Sequence, residues 1–311
     1  MTPGTNTPSV RPADEDPRRS GTRRTRRTRR TRLARLARLP AALPARAGLG
    51  LVLLAVPLLL ALAGPWFAGE PGPRAASFTL GGGHWLGTDV TGDDVWRQVL
   101  LGGRSVVLIA LAATALTYLV AVPTGLTAAL TRRPWLEELL MRPLDIVLAV
   151  PSLLLLLLVA ALFAPGAAGL ALIVAGIAVP DTTRMVRAAA TAVAARPAVE
   201  ALRMQGESRL RIALGHVGRA IGRTLAADAG VRLTGALYLV ATAAFLGVGV
   251  TPGAPDWAVM VDRNRTGLAV QPWAVTVPAL LVIALSMGAN LLFDAVLAHR
   301  RKPHDRARRT D

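Results

Sequence analysis

Side chains that carry covalent chemistry are scarce in this 311-residue chain, and their spacing does not suit catalysis. There is no cysteine, which excludes thiol nucleophiles, thiolate metal sites and disulfides together. The one lysine, Lys302, stands in the tail, so no Gly-x-x-x-x-Gly-Lys-Ser/Thr loop is present to hold a nucleotide phosphate. His84, His216, His299 and His304 are scattered without His-Glu-x-x-His spacing, and no metal or other cofactor is expected. The chemistry left is that of contact and passage. Glu200 lies in the long polar stretch Arg187–Asp228, where Pro197 suits the first turn of a helix and Gly206 suits its end. A second helix then runs through Leu210, Ile212, Leu214 and Val217 among arginines. Two short helices joined at a glycine corner make a knob suited to another protein's groove.

Within that knob, Glu200 either fixes the helix against a partner or is a solvated acid paired with Arg203. Ala201 is small enough for close seating, and Gly206 supplies a corner that glycine adopts at least cost. Leu210 and Ile212 offer apolar contact, to a partner or to the chain's own inner surface. Elsewhere Thr234, Tyr238 and Thr242 recur every four residues and share one helix face. They are candidate pore-lining residues, or hydrogen-bonding residues between helices. Of the acids, Asp89 and Asp94 lie outside the membrane and either contact another protein or cap the next helix, capping being expected above all of Asp89 beside Thr88. Asp145 is expected to pair with Arg142, and Asp294 with His299 or Arg300.

The elements that position these residues are membrane spans. The chain is 52% hydrophobic yet carries a net charge of +17, and its mean hydropathy is +0.44. Segregated charge explains the combination: 105–130, 146–180 and 266–293 contain no charged residue. A crossing takes about 20 apolar residues. The stretch 146–180 would be about 52 Å long as one helix, so Ala164-Pro165-Gly166 is expected to turn the chain between two spans. The organisation expected is a first transmembrane helix at 47–68, an extracytoplasmic segment at 69–101 and a multi-span region at 102–297. Its spans fall at about 104–130, 144–164, 168–187, 232–251 and 272–297, with the long loop at 188–228.

Arginine and lysine then set the orientation. The arm 1–46 carries 13, the 131–142 loop 3, the 184–232 loop 9 and the tail 298–311 carries 6, against 4 on the other side. The positive-inside rule places both termini and the 184–232 loop in the cytoplasm. The Thr-Arg-Arg repeats of the arm, Thr22 to Arg32, have no aromatic residues for base stacking, so contact with anionic lipid is expected rather than nucleic acid.

Glu200-Ala201-Leu202-Arg203-Met204-Gln205-Gly206 resembles the Glu-Ala-Ala-x-x-x-Gly loop of ATP-binding-cassette importer permeases. Four further segments resemble the dipeptide, oligopeptide and nickel branch of that family, in its order. They are Leu86-Gly87-Thr88-Asp89 with Gly92 and Asp94, Arg142 to Asp145 with Pro151, Phe245-Leu246-Gly247-Val248-Gly249 with Pro252, Pro255 and Trp257, and Asn290 to Asp294. The departures are Asp93 for arginine, Leu202 for the second alanine, Gly218 and Arg219 for Leu-Pro, Val240 for a glutamate and Ala258 for glycine.

The resemblance implies an all-α membrane protein with six transmembrane helices, the type I importer permease fold, both termini cytoplasmic, in the bacterial inner membrane. It implies a pore shared with a sister permease, two cytoplasmic ATPases coupled through Glu200, Ala201, Leu202, Gly206, Leu210 and Ile212, and an extracytoplasmic solute-binding protein. The permease itself is then no enzyme, and its substrate is a peptide or similar small solute. Two other classes stay open: a self-sufficient secondary transporter, which needs ionisable residues at mid-membrane, and a membrane-tethered basic protein that binds nucleic acid or lipid.

Overall fold

The computed structural model describes residues 45–249 and 253–307, with side chains described from 47 to 293 within those limits. The basic arm, Pro252, the Asp294 side chain and the side chains of the tail lie outside the described residues. Among those described, the regular structure is helical, with two isolated bridges, Gly81 with His84 and Thr88 with Asp94, in the irregular segment before Val95. The helices are α1 (Ala45–Phe67), α2 (Val95–Leu130), α3 (Pro134–Leu148), α4 (Ser152–Phe163), α5 (Ala167–Ala194), α6 (Pro197–Met204), α7 (Arg219–Phe245), α8 (Trp257–Asn264) and α9 (Trp273–Ala307). A π-helical stretch, Arg211–Gly218, leads into α7.

Four helices, α1, α2, α5 and α9, are long and apolar enough to cross a membrane, and α3 with α4 makes a fifth if the bent pair is one span. The stretch expected as a single span over 144–164 is broken by a 90° bend between Leu148 and Ser152. Pro151 is the physical cause. It disfavours helical geometry at Val150 and donates no backbone hydrogen bond. Alone, α4 has 12 residues and covers about 18 Å, less than the apolar thickness of a bilayer. Helix α2 also differs from expectation. It starts at Val95 rather than near Arg104, because Asp94 caps it by accepting a hydrogen bond from the Arg97 amide at 3.0 Å.

Apolar contact holds the bundle together. Helix α2 packs along α5, α1 packs along α9, and α7 touches α2, α5 and α9. The larger core joins Val99, Val106, Leu170, Val174, Leu237 and Val240 with the fully buried Trp257. A second core gathers Leu126, Val186, Val193, Val199, Ile212 and Ile221 where the long loop meets α2 and α5. Leu59, Leu119, Leu162, Leu280 and Ile283 face outward, as residues of lipid-exposed helices do.

Candidate functional site

The long loop folds into two arms around a glycine corner. Helix α6 opens with Pro197 at its first turn, where a missing N–H costs nothing, and is anchored by the fully buried Val199. Glu207 donates its N–H to the Leu202 carbonyl at 3.1 Å, and Gly206 donates to the Arg203 carbonyl at 3.1 Å. That pair of bonds turns the chain through a left-handed residue, and Gly206 occupies it with φ of 79°. No atom lies near the position a Cβ would take, so the only obstacle to another residue is the backbone conformation. Gly206→Ala is therefore expected to destabilise the corner by about 1 kcal/mol, measured as a lower melting temperature of the purified protein in detergent.

Around this corner the candidate residues separate into anchors and free faces. Ile212 is buried in the second core and Leu202 packs against it, while Leu210 is 70% exposed. Ile212 thus serves the chain's own packing, and Leu210 is left outward. Glu200 is exposed, Ala201 is half-buried, and Glu200 makes no ion pair with Arg203. Met204, 79% exposed, joins them although the motif does not single it out. Its position one turn beyond Glu200, on the same helix face, is the signal that the sequence carries for it. The exposed face of α6 holds Glu200 and Met204, whereas Leu210, on the following arm, borders a cavity with Leu126, Leu130 and Leu136.

Ion pairs connect the helices above the loop. Asp145 pairs with Arg184 across from α3 to α5, and Glu137 pairs with Arg187 in the same way. The expected partner of Asp145, Arg142, instead meets Glu138 one turn away at 2.9 Å. Asp145 and Arg142 lie three residues apart on one helix, but α5 brings Arg184 to the carboxylate. Nearby, Tyr118 donates to Asp228 at 2.7 Å, and Arg232 reaches Asp228 at 3.2 Å and Asp181 at 3.5 Å. Arg232 is shared between two carboxylates, Asp228 and Asp181, and the Tyr118 hydroxyl bond adds to the pairing that lets these charged residues sit inside α5 and α7.

At the opposite end, segments far apart in sequence close on Asp89. Its fully buried carboxylate accepts hydrogen bonds from the Thr91 amide and hydroxyl at 2.8 and 2.7 Å, the Asp93 amide at 2.9 Å and the Gln98 amide side chain at 2.8 Å. Arg263 of α8 completes the site with an ion pair to Asp89 and a 2.7 Å bond to Gln98. Capping, expected of Asp89, falls to Asp94, because five donors already occupy the Asp89 oxygens. Thr88, also buried, accepts from the Thr79 amide at 2.9 Å and donates to the Ala76 carbonyl at 2.7 Å. Gly87 and Gly92 lie where a Cβ would meet the Thr79 and Ala75 carbonyls.

The same clasp includes the segment around α8. Trp257 donates its indole N–H to the Val99 carbonyl at 2.8 Å and its ring lies against Gly102 and Gly103. Asp256 caps α8 and accepts from the Ser105 hydroxyl. Burial pushes the Asp256 carboxyl above its ordinary pKa, against the Ser105 and backbone hydrogen bonds that lower it. For Asp93, burial also raises the pKa, but bonds from Thr91 and Arg74 outweigh it and hold the carboxyl below its ordinary value.

Thr234, Tyr238 and Thr242 are brought together. They line one side of a groove of about 890 Å³, faced by Ser286, Met287 and Asn290 of α9. Its lining holds no ionisable carboxylate or guanidinium, and Tyr238 is 55% exposed. Helix α7 ends beside it. Val248 donates to the Ala243 carbonyl at 2.8 Å and Gly247 to the Ala244 carbonyl at 3.0 Å, with Gly247 left-handed as at the loop corner. Gly249 then passes close to Leu170. Among the described residues no group of three His, Cys, Asp or Glu could hold a metal.

Known proteins resemble the chain over most of its length. It is 29% identical over 257 residues to the di/tripeptide transport system permease protein of Pseudomonas aeruginosa, covering 79% of this chain and 84% of that one. It is 28% identical over 216 residues to a glutathione transport system permease protein of Pectobacterium atrosepticum, covering 68% and 70%. The sequence model of the family described as binding-protein-dependent transport system inner membrane component matches residues 121–302. More than half of the chain lies within that match, and the chain belongs to the family of binding-protein-dependent transport system inner membrane components.

Proposed function

We propose that this chain is the multi-pass inner-membrane permease subunit of an ATP-driven importer of peptides or similar small solutes. It forms half of a pore whose other half is a sister permease. The observation that carries the reading is the outward face of α6 and the following arm. Glu200 and Met204 are exposed on α6, which is pinned from behind by Val199 and Leu202, and Leu210 is exposed on the following arm. A face held rigidly, with charge and apolar groups outward, suits a groove in a cytoplasmic ATPase. Two ATPases would close on ATP and draw the loops together, turning the pore outward. Hydrolysis would reset it, and a solute-binding protein would deliver cargo on the clasp side.

Six spans with both termini cytoplasmic complete the proposal, with α7 as a crossing helix. Its charges support this: Arg232 is paired with Asp228 and Asp181, and the 13 residues beyond it to Phe245 carry no charge. Substrate would pass along the Thr234, Tyr238 and Thr242 face. The Pseudomonas and Pectobacterium relatives are named for transport of peptides and of glutathione. The Tyr118, Asp228, Arg232 and Asp181 cluster favours a second reading, ion-driven transport, because it places ionisable groups within helices.

Affinity purification of the tagged chain in mild detergent separates the two. The importer reading expects an ATPase and a second membrane subunit to co-purify, and vesicle uptake to need ATP. Purification of the chain alone, with uptake driven by an ion gradient, overturns it.

A further inference from the structure

Between α2 and the loop lie two adjoining cavities of opposite character. One, of about 180 Å³, is lined by Arg132, Arg203 and Arg209 with Glu207, Leu130 and Ile212. Arg211 bonds both oxygens of Glu207, at 3.0 and 2.9 Å, which neutralises the single acid. None of the three lining arginines pairs with a carboxylate among the described residues. Three exposed arginines lining one small cavity, with its single acid already paired, favour an anion with several acceptor oxygens.

The second cavity, of about 380 Å³, shares Leu130 and Arg209 with the first and continues between Pro123, Leu126, Leu136 and Leu214. It is mostly apolar. Helix α3, which supplies Leu136, lies at 90° to α4 and exposes Trp135 (58%) and Leu139 (61%). A helix crossing the direction of its neighbour, with tryptophan and leucine outward, has the character of an interfacial element. Charge at one end, an apolar channel at the other and a membrane surface alongside define an amphipathic anion.

We propose that the paired cavities bind one anionic phospholipid, its phosphate between Arg132, Arg203 and Arg209 and an acyl chain along Leu126, Leu136 and Leu214. The site rests on the membrane location of the chain and on the inner placement of the loop, not on any ATPase contact. A lipid held there joins the end of α2 to the glycine corner, so membrane composition would bias the position of the loop.

The full-length chain, reconstituted without ATPase into phosphatidylcholine vesicles, tests this. A minor fraction of phosphatidylglycerol carries a photoreactive acyl chain, and the control carries the same acyl chain on phosphatidylcholine. Label from phosphatidylglycerol is expected on segments 123–136 and 209–214 in clear excess over the control. Each Arg→Gln substitution at 132, 203 or 209 should weaken it about fivefold. The triple variant should fall to the phosphatidylcholine level there while label on α1 and α9 is unchanged, which shows the bundle intact. Equal labelling by the two lipids, or labelling unaltered in the triple variant, overturns the proposal. Loss of label with millimolar inorganic phosphate also overturns it, in favour of a soluble-anion site.

Discussion

Glu200→Arg is expected to abolish ATPase co-purification while leaving the permease folded. The side chain is exposed and makes no ion pair within the described chain, so replacing it removes little that the fold depends on. Exposed substitutions of this kind shift stability by about 0.5 kcal/mol or less. In a docked complex the same carboxylate would be desolvated against a partner donor. Reversing its charge then costs about 2–5 kcal/mol, thirtyfold or more in affinity. The readouts are the melting temperature of the purified permease and the ATPase recovered with it. An unchanged melting temperature with the ATPase lost places Glu200 in the contact. Retention of the ATPase at wild-type yield would remove Glu200 from it. Glu200→Gln, which keeps shape and loses charge, should fall between the two.

Arg263→Ala is expected to lower stability far more than Gly206→Ala or Glu200→Arg. Arg263 is the cation that compensates a carboxylate with no solvent exposure, and the change leaves Asp89 buried beside neutral donors only. Removing one partner of a buried pair costs about 3–5 kcal/mol. The clasp also sets the position of Gln98 on α2 and, through Asn264 and the Val90 amide at 3.0 Å, the approach of α8. The expected result is a strongly lowered melting temperature in detergent, with the double variant Asp89→Asn, Arg263→Gln less affected than Arg263→Ala alone. A melting temperature for Arg263→Ala equal to wild type would mean that water reaches Asp89 and that the clasp is not closed.

Both predictions turn on residues, Glu200 and Asp89, whose motifs are visible in the sequence while their partners are not. Asp89 and Arg263 are 174 positions apart, and nothing local in either segment names the other. A cap at Asp89 follows from its place before a helix, yet Asp94 holds that role because its side chain is the one aligned with the Arg97 amide. Glu200 and Gly206 are legible because a proline opening, a carboxylate and a glycine end are consecutive features of one short helix. Leu210 and Ile212 look equivalent in sequence. The π-helical stretch and the second core turn Ile212 inward and leave Leu210 out.

The sequence by itself determined the class of the molecule: charge-free stretches of spanning length, arginine concentrated on alternate segments, no residues for covalent chemistry, and a run of motifs in family order. These are local or additive properties, and burial in lipid enforces them directly. Tertiary structure decided the 90° break after Leu148, the pairing of Asp145 with Arg184, the closure of the Asp89 clasp and the opening of a groove beside Tyr238. The physical reason is common to all four. A span's hydrophobicity fixes that it enters the membrane, whereas its neighbours and their charges are chosen by packing among helices distant in the chain.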